Sequence, residues 1–414
     1  MIRMTRMPEA GTRLLAPLQS SFSSRPYLVF CWLLVAHLVC FGQATVQGLA
    51  RYTPRHVAAW QLRRRLAAGR WQWARVLEWL VSEALAAFPP PKAGVLYLVV
   101  ASTLKNKRSK KNPLAKKGRL NEYAPYTFGL HVVILLAQWE VYRVPLAFGL
   151  VKPKGSPGYQ SETALFREMR PEVLLPAWGK QVIVVADAAY PSRANLQAIQ
   201  ARHGFFVLAF PRPWKLATGQ YLQDLVTPLP VHHYRQVRLS LVVPSARRRV
   251  FWTFANRAQL RQVGDVTGVL SRRRRNDGPK HTKLLVTNLP QATAQVTVAC
   301  YLRRWPVELG IKELKGVVGL GQPQVTKAAA RVERSVAGAL MAYLRLLRLR
   351  AKQIQPGNSW SAVTLKQGLA WEWGARQVQR AARQEARREV RLRPPAPEVQ
   401  LRLAASVHHS SCKL

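Results

Sequence analysis

Two runs of apolar residues, at positions 95–100 and 182–186, place the strongest constraint on the fold. Runs that are apolar at every position and rich in valine are typical of strands buried on both faces of a sheet. Around them, further strand-like and helix-like stretches alternate up to residue 210. This order predicts an α/β domain with a mixed sheet. Because 48% of the residues are hydrophobic, a wholly disordered basic chain is excluded.

Changes in composition divide the chain into segments. The run Pro89-Pro90-Pro91 is typical of a linker, and Asp277-Gly278 gives a hairpin-turn signal within a stretch of short β-like runs. The predicted segments are a helical N-terminal region over residues 1–90, the first part of the α/β domain over 91–210, a β-rich insertion over 211–290, a returning helical part of the same domain over 291–355 and a basic tail over 356–414.

The charge of the chain indicates its class of partner. The sequence has 64 Lys and Arg residues against 19 Asp and Glu residues, which gives a formal net charge of +45. A chain this basic is expected to bind a polyanion, with nucleic acid first and an anionic membrane surface second. Basic residues concentrate at positions 104–119, at 272–275 and in the tail. Each cluster is consistent with phosphate binding, and the alternative for each is a solvated surface.

One apolar stretch, at positions 27–43, bears on the membrane alternative. Its length is at the lower limit for a membrane span, and it lies too far from the N-terminus for a signal peptide. We therefore expect a buried helix and no membrane partner. Four scattered cysteines without a CxxC pair are typical of the reducing cytosol. The basic helix predicted after Thr53-Pro54 suits a DNA-binding helix–turn–helix and a solvated helix of a bundle equally well.

Aspartate is scarce, which makes its positions informative. It occurs only four times, and the first is Asp187, directly after the apolar run at 182–186. The carboxyl ends of strands are where sites form in α/β sheets. A carboxylate there, inside a strongly positive chain, is a suitable ligand for Mg²⁺ or Mn²⁺. The alternative is that Asp187 caps the helix predicted to begin near Pro191.

A second cluster lies on a predicted helix that contains Tyr301, Arg304, Glu308 and Lys315. At about 100° per residue, these four side chains fall within an arc of about 60°. One helix face then carries a phenol, a guanidinium, a carboxylate and an ammonium. Pro306 predicts a kink or a restart of the helix, which loosens the placement of the first two side chains. The alternative is a solvated face with ordinary ion pairs.

The Tyr-x2-Arg-x3-Glu-x6-Lys spacing at these positions resembles the signature of the DDE transposases of bacterial insertion sequences. The stretch Asp187-Ala-Ala-Tyr190 is similar to the second Asp motif of that family. The resemblance covers roughly residues 27–355. It implies a ribonuclease-H-like catalytic domain of α/β class, a mixed sheet with helices that a β-rich insertion interrupts before the final Glu, preceded by an all-α N-terminal domain.

The resemblance also implies a nuclease and strand-transfer site in which three carboxylates hold two divalent metals, Mg²⁺ or Mn²⁺. Asp187 and Glu308 would then be catalytic metal ligands. The side chains that would contact DNA phosphates are those of Tyr301, Arg304 and Lys315, and the basic loop that follows the site adds Lys105, Lys107, Arg108 and Lys110. The implied partners are double-stranded DNA with the terminal inverted repeats of a mobile element and a second copy of the chain. The implied location is the bacterial cytoplasm, at the nucleoid.

The sequence departs from the family pattern at the first acid. The family places an Asp at the end of the first strand, where this chain has Ala101, and no Asp exists upstream. Ser102 and Thr103 are weak metal ligands. We therefore expect a transposase that cleaves and transfers DNA strands with a damaged catalytic triad. The alternative is an inactive remnant that binds element ends or represses.

Overall fold

A mixed sheet of ten strands runs through the part of the chain that the structure describes. In this computed structural model the described residues are 15–22, 24–54, 57–68, 72–106, 112–119, 125–169, 175–202, 204–211, 214–222, 224, 229–239, 249–322, 328–352 and 361–392. The strands are β1 Val95–Asn106, β2 Ala115–Gly118, β3 Thr127–Trp139, β4 Tyr142–Leu150, β5 Gln181–Ala186, β6 Gly204–Ala209, β7 Arg235–Leu239, β8 Arg249–Leu260, β9 Gly264–Arg272 and β10 Lys283–Thr287. The predicted α/β class with a mixed sheet is confirmed.

The strand order shows how the β-rich stretch is attached. Across the sheet the order is β2-β3-β1-β5-β6-β10-β9-β8-β7, and β4 also pairs with β3. β5 runs parallel to β1 and to β6, whereas β10 runs antiparallel to β6. The strands β7–β10 therefore extend the central sheet and do not form a separate layer.

β1 is longer than the apolar run predicts. The sequence predicts a strand that ends near Ala101 and a basic loop from residue 104, but pairing with β3 continues to Asn106. The side chain of Leu104 is buried against the core, and the ladder hydrogen bonds on that side are satisfied by β3. Packing and pairing outweigh the weak strand preference of the lysines. Ala101 thus lies inside the strand, and Lys105 lies on the strand and not in a loop.

Helices precede, cover and follow the sheet. They are α1 Ser24–Val39, α2 Val46–Ala50, α3 Ala59–Ala68, α4 Trp73–Ala86, α5 Glu162–Glu168, α6 Arg193–Arg202, α7 Ala294–Leu302, α8 Trp305–Gly316, α9 Ala329–Ala351 and α10 Ala362–Leu392. Short 3₁₀ turns occupy Ala16–Ser21, Val231–His233 and Pro279–His281. The four helices before the sheet agree with the helical N-terminal region that the sequence predicts.

The apolar stretch near the N-terminus forms the core helix α1. It packs against α3, α9 and α10, and nearly all of its side chains from residue 29 onward are buried. Trp32 meets Trp373 of α10 edge to face, with ring centroids 6.4 Å apart. A helix that is apolar on all sides is stable when other helices surround it. Among the described residues, no helix is long and apolar enough to cross a membrane.

The two faces of the sheet carry different helices. On β1, alternate side chains point to opposite faces. Tyr97 points to one face, where its hydroxyl lies 3.8 Å from the Cys300 thiol of α7. Ser102 points to the other face, as does His131 of β3, whose Nε2 lies 2.9 Å from Glu162 Oε1 of α5. We call the first face the α7–α8 face; Val99 and Ala101 share it with Tyr97.

Segments from both ends of the chain hold the C-terminal end of α8. The His37 Nδ1 of α1 donates to the Val318 carbonyl at 2.9 Å, and the Lys366 ammonium of α10 donates to the Val317 carbonyl. The backbone N–H of Ala44 donates to the Gln322 side chain at 2.6 Å. The carbonyls at the end of a helix have no partner within the helix. The first two donors bond to carbonyls there, and the third holds the turn that follows.

We expect Gly319, in the turn after α8, to tolerate no side chain. Gly319 has a φ of +73°, and an added Cβ would lie 2.5 Å from the Ala44 Cβ. We expect Gly319→Ala to lower the free energy of unfolding by about 2–4 kcal/mol, because it combines a left-handed backbone with a clash against a second segment. Urea unfolding at pH 7 measures this. The control is Gly316→Ala at the end of α8, where an added Cβ meets nothing within 4 Å; a similar loss there would contradict the explanation.

Because the imidazole of His37 is buried, we expect the folded protein to lose stability in acid. The pKa of His37 is lowered to about 4, mainly by burial and in part by Lys366, while the Val318 carbonyl opposes the shift. Because the unfolded imidazole takes up a proton near pH 6.5, stability falls as the pH drops from about 6.5 towards 4.

We expect this histidine alone to remove about 2 kcal/mol of unfolding free energy between pH 7 and pH 4.5. His37→Leu should reduce the difference between urea unfolding curves at these two pH values by that amount. An unchanged pH difference in the variant would show that other groups cause the acid sensitivity.

Candidate active site

Asp187 stands at the carboxyl end of the central strand β5. The strand residues before it are buried, whereas Asp187 itself is half-buried. Its Oδ1 accepts a hydrogen bond from the backbone N–H of Ala189 at 3.0 Å. The helix α6 begins at Arg193, and the N–H of Asn195 bonds to Ser192 Oγ at 3.2 Å. Ser192 therefore occupies the capping position, and the alternative that Asp187 caps this helix is wrong.

Position 101 lies level with Asp187 on the neighbouring strand. β1 and β5 pair in parallel with Val99 opposite Val185. This is the last pair; continued by two residues, the register brings Ala101 level with Asp187, which directly follows β5, and both residues fall on the α7–α8 face. Ala101 is 8% exposed, so a methyl group borders the site where the family resemblance expects a carboxylate.

The predicted motif helix is divided into α7 and α8. Thr293 caps α7 by accepting from the Val296 N–H at 3.2 Å. Arg303 and Arg304 keep helical backbone angles between the two helices, and their N–H groups bond three residues back. Pro306 lies in the first turn of α8, where a missing N–H costs nothing. The predicted restart at this proline is confirmed.

Three of the four motif side chains converge at the end of β5. Arg304 Nη2 lies 2.9 Å from Glu308 Oε1, and its guanidinium carbon lies 5.9 Å from the centre of the Tyr301 ring. Burial raises the pKa of Tyr301, and Asp187 and Glu308 raise it further while Arg304 opposes them. Burial lowers the pKa of Arg304, but Tyr301, Glu308 and Asp187 outweigh burial and raise it. Both carboxylates therefore act on the same phenol and the same guanidinium.

The fourth motif residue, Lys315, lies further along α8. Seven residues separate it from Glu308, which is about 10 Å along the helix axis. Its Nζ donates to the carbonyl of Leu104 at 3.2 Å, and both burial and Lys105 lower its pKa. Lys315 and Lys105 thus form a basic pair at the end of β1, apart from Asp187.

Three further predicted phosphate ligands, Lys107, Arg108 and Lys110, lie outside the described residues. A different acid on α8, Glu313, is occupied by structural partners. Its Oε1 lies 3.6 Å from Arg143, and the Tyr343 hydroxyl donates to its other oxygen. Of the two α8 carboxylates, Glu308 is the one that faces the end of β5.

The sequence reasoning missed Lys283, the first residue of β10. Its Nζ lies 5.4 Å from the centre of the Tyr301 ring. Desolvation, Arg304 and Arg273 lower the pKa of Lys283, whereas Glu308 and Asp187 raise it. A lysine before a short apolar run gives no motif signal. Its position depends on the pairing of β10 with β6, which the sequence does not reveal.

A basic cleft opens beside this cluster, between the sheet extension and α7. Its volume is about 590 Å³. The lining includes Arg249, Arg273, Arg274, Lys283, Tyr301, Arg304 and Trp305. Arg272 belongs to the core of the extension: it is 6% exposed, its Nε donates to Thr282 at 2.9 Å, and it stacks 3.7 Å above the Tyr234 ring centre. Arg273 and Arg274, which follow it, line the cleft.

A comparison with family models identifies the family of this chain. The model of the family described as "Transposase DDE domain" matches residues 101–345, which is more than half of the chain. The chain belongs to the transposase DDE domain family. The match begins inside β1, at Ala101, and ends inside α9, so it includes the sheet extension, α7, α8, Asp187 and Glu308.

Two other comparisons accompany the family match. No curated protein matches the chain. Among solved structures, the chain is similar to the piggyBac transposase in a cryo-EM synaptic complex with hairpin DNA, at 10% sequence identity and a TM-score of 0.48. That similarity covers 96% of this chain and 80% of the other.

The donor set of this DDE domain does not fit a two-metal site. Domains of the family generally use divalent metal ions. In the described part of the chain, no group of three or more His, Cys, Asp or Glu side chains is arranged to hold a metal. Asp187 and Glu308 supply two carboxylates, Ala101 supplies a methyl group, and Glu308 already pairs with Arg304.

We expect a carboxylate at position 101 to strengthen metal binding. We expect Ala101→Asp to bind Mn²⁺ at least about tenfold more tightly than the parent chain, because oxygen-ligand number and charge set the affinity for hard cations. The loss of the free Mn²⁺ signal in electron paramagnetic resonance measures this. Ala101→Asn, with nearly the same volume and no charge, is the control. Equal Mn²⁺ affinity in the two variants would show that position 101 does not border the carboxylates.

Proposed function

We propose that this transposase binds the ends of a mobile DNA element at the α7–α8 face, and that Ala101 impairs its cleavage and transfer of DNA strands. The observation that carries the proposal is the placement of Asp187 directly after β5 and of the Arg304–Glu308 pair on the same face of the sheet, with Ala101 two residues after the last β1–β5 pair. Two carboxylates remain where the family resemblance implies three.

Charge supports DNA as the partner. The chain has a net charge of +45, and the cleft next to Asp187 is lined by arginines and lysines. Guanidinium groups bind phosphate oxygens through paired hydrogen bonds, and ammonium groups supply point charges. Tyr301, Arg304 and Lys315 are proposed to hold phosphates near the scissile bond. Lys105, Lys107, Arg108 and Lys110 are proposed to hold the backbone beyond β1.

The remaining features of the proposal come from the family resemblance. The recognised sequences would be the terminal inverted repeats, and two copies of the chain would pair the two ends in the bacterial cytoplasm. The metal for any residual or restored cleavage would be Mg²⁺ or Mn²⁺, held through Asp187 and Glu308. Residues 1–90 are proposed to add DNA contacts, which the exposed side chains of Arg63 and Arg64 on α3 support.

A second function, end binding or repression without any cleavage, is supported by the same substitution. Loss of one metal-binding carboxylate weakens the charge stabilisation that a two-metal site provides. Binding depends on the cationic cleft and would survive that loss. The two functions differ only in whether the parent chain cuts DNA at all.

Cleavage assays test the proposal. Duplex DNA from the two flanks of the coding region, which would contain the element ends, is incubated with the purified chain and Mn²⁺. We expect the parent chain to bind this DNA and Ala101→Asp to cut it at least about 100-fold faster, the scale on which one electrostatic group supports catalysis.

Asp187→Asn in the Ala101→Asp background is the matched control and should abolish the restored cleavage. Robust cutting by the parent chain that depends on Asp187 would contradict the impairment. Failure of the parent chain to bind the flanking DNA more tightly than unrelated DNA would contradict end binding.

A further inference from the structure

One of the two carboxylates of the candidate site, Glu308, already has a cationic partner. Glu308 Oε1 lies 2.9 Å from Arg304 Nη2. Asp187 interacts electrostatically with Arg304 and with Lys283, and Lys283 also interacts with Glu308. An opposite charge within a few ångströms stabilises a carboxylate in its ionised form, as a metal ion does.

The sheet register brings Lys283 to this place. Ala186 of β5 pairs with Leu208 of β6, and the next residue of β6, Ala209, pairs with Leu285 of β10. Ala209 and Leu285 are therefore level with Asp187. Lys283 lies two residues beyond Leu285, on the same face of the sheet, because side chains alternate along a strand. Its ammonium projects past the edge of the sheet, over the Tyr301 ring.

The balance of charge at this point favours an anion over a cation. Lys283, Arg304 and Arg273 line the same cleft, and Lys283 interacts electrostatically with both arginines and with the carboxylates of Asp187 and Glu308. A divalent cation entering the site would meet three positive charges and two ligand groups. A phosphate would meet the same three positive charges as hydrogen-bond donors.

We propose that Arg304, paired with Glu308, and Lys283, beside Tyr301 on the same face of the sheet, engage a phosphate of the DNA backbone at this site without a divalent metal. This inference rests on the proposed function, since it names the ligand of the same face. It assigns Lys283 a phosphate-binding role that lies outside the Tyr301–Lys315 motif.

The ammonium of Lys283 would then repel a metal ion from the carboxylates. Removing the ammonium would cost a phosphate contact and would at the same time remove a positive charge that opposes a cation at Asp187 and Glu308. DNA binding and Mn²⁺ binding should therefore change in opposite directions in one variant. A lysine with only a structural role would not produce this pair of effects.

The test compares Lys283→Met with Lys180→Met in the full-length chain. Lys180 precedes β5, at the end of the strand opposite to Asp187 and about 23 Å from it at the rise of a strand. Binding to a fluorescein-labelled duplex from the flanking DNA is measured by anisotropy, in EDTA and in Mn²⁺, over a series of salt concentrations. Binding of Mn²⁺ alone is measured by electron paramagnetic resonance, and circular dichroism checks folding.

We expect the parent chain to bind DNA equally well, within a factor of about two, in EDTA and in Mn²⁺. Lys283→Met should weaken binding in EDTA about tenfold, or ~1.4 kcal/mol, and lower the salt slope by about one. The same variant should bind Mn²⁺ several-fold more tightly, and Glu308→Gln added to it should remove that gain. Lys180→Met should match the parent chain in both assays.

Two results would overturn the inference. One is parent DNA binding that Mn²⁺ strengthens tenfold or more through Asp187. The other is a folded Lys283→Met variant with unchanged DNA affinity in EDTA. Both leave the proposed function standing, since the parent chain still binds the DNA. Failure of the parent chain to bind that DNA preferentially under either condition would instead remove the proposed function and this inference together.

Discussion

The site depends on how α8 is seated at the carboxyl edge of the sheet. This helix carries Glu308 to the end of β5, and its own far end is held by donors from α1 and from α10. The Val318 carbonyl is held by a residue 281 positions away in sequence, and the Val317 carbonyl by a residue 49 positions away. A shift of α8 along its axis would separate Glu308 from Asp187 and break these bonds together. The helical regions at both ends of the chain are therefore structural supports of the site.

On the function proposed above, the absence of a carboxylate at position 101 changes the charge balance of the site. Removal of a negative charge from a cluster does not leave the other groups unchanged, because their interactions are mutual. With a methyl group at Ala101, the two carboxylates of Asp187 and Glu308 lie among three cations, Lys283, Arg304 and Arg273. On the function proposed above, the carboxylates orient these cationic side chains, and the site binds a polyanion without a complete set of metal ligands.

The sequence predicted those parts of the structure that depend on local pattern. The valine-rich run identified β5 and placed Asp187 at its end, and Pro306 identified the restart between α7 and α8. Prediction failed where tertiary pairing decides the outcome. β3 extended β1 past Ala101 to Asn106, and the pairing of β10 with β6 brought Lys283 to the site. Neither partner strand is encoded near the residue whose position it determines.

The attachment of β7–β10 to the central sheet limits the movements available to the basic cleft. Its cationic wall is continuous, through the ladder of β10 and β6, with the strands that bear the acids. To swing this wall as a hinged flap would require breaking main-chain hydrogen bonds in the middle of the sheet, which is costly. The wall of the cleft therefore moves together with the strands that bear the acids, and the spacing between its cations and these acids is fixed by one continuous sheet.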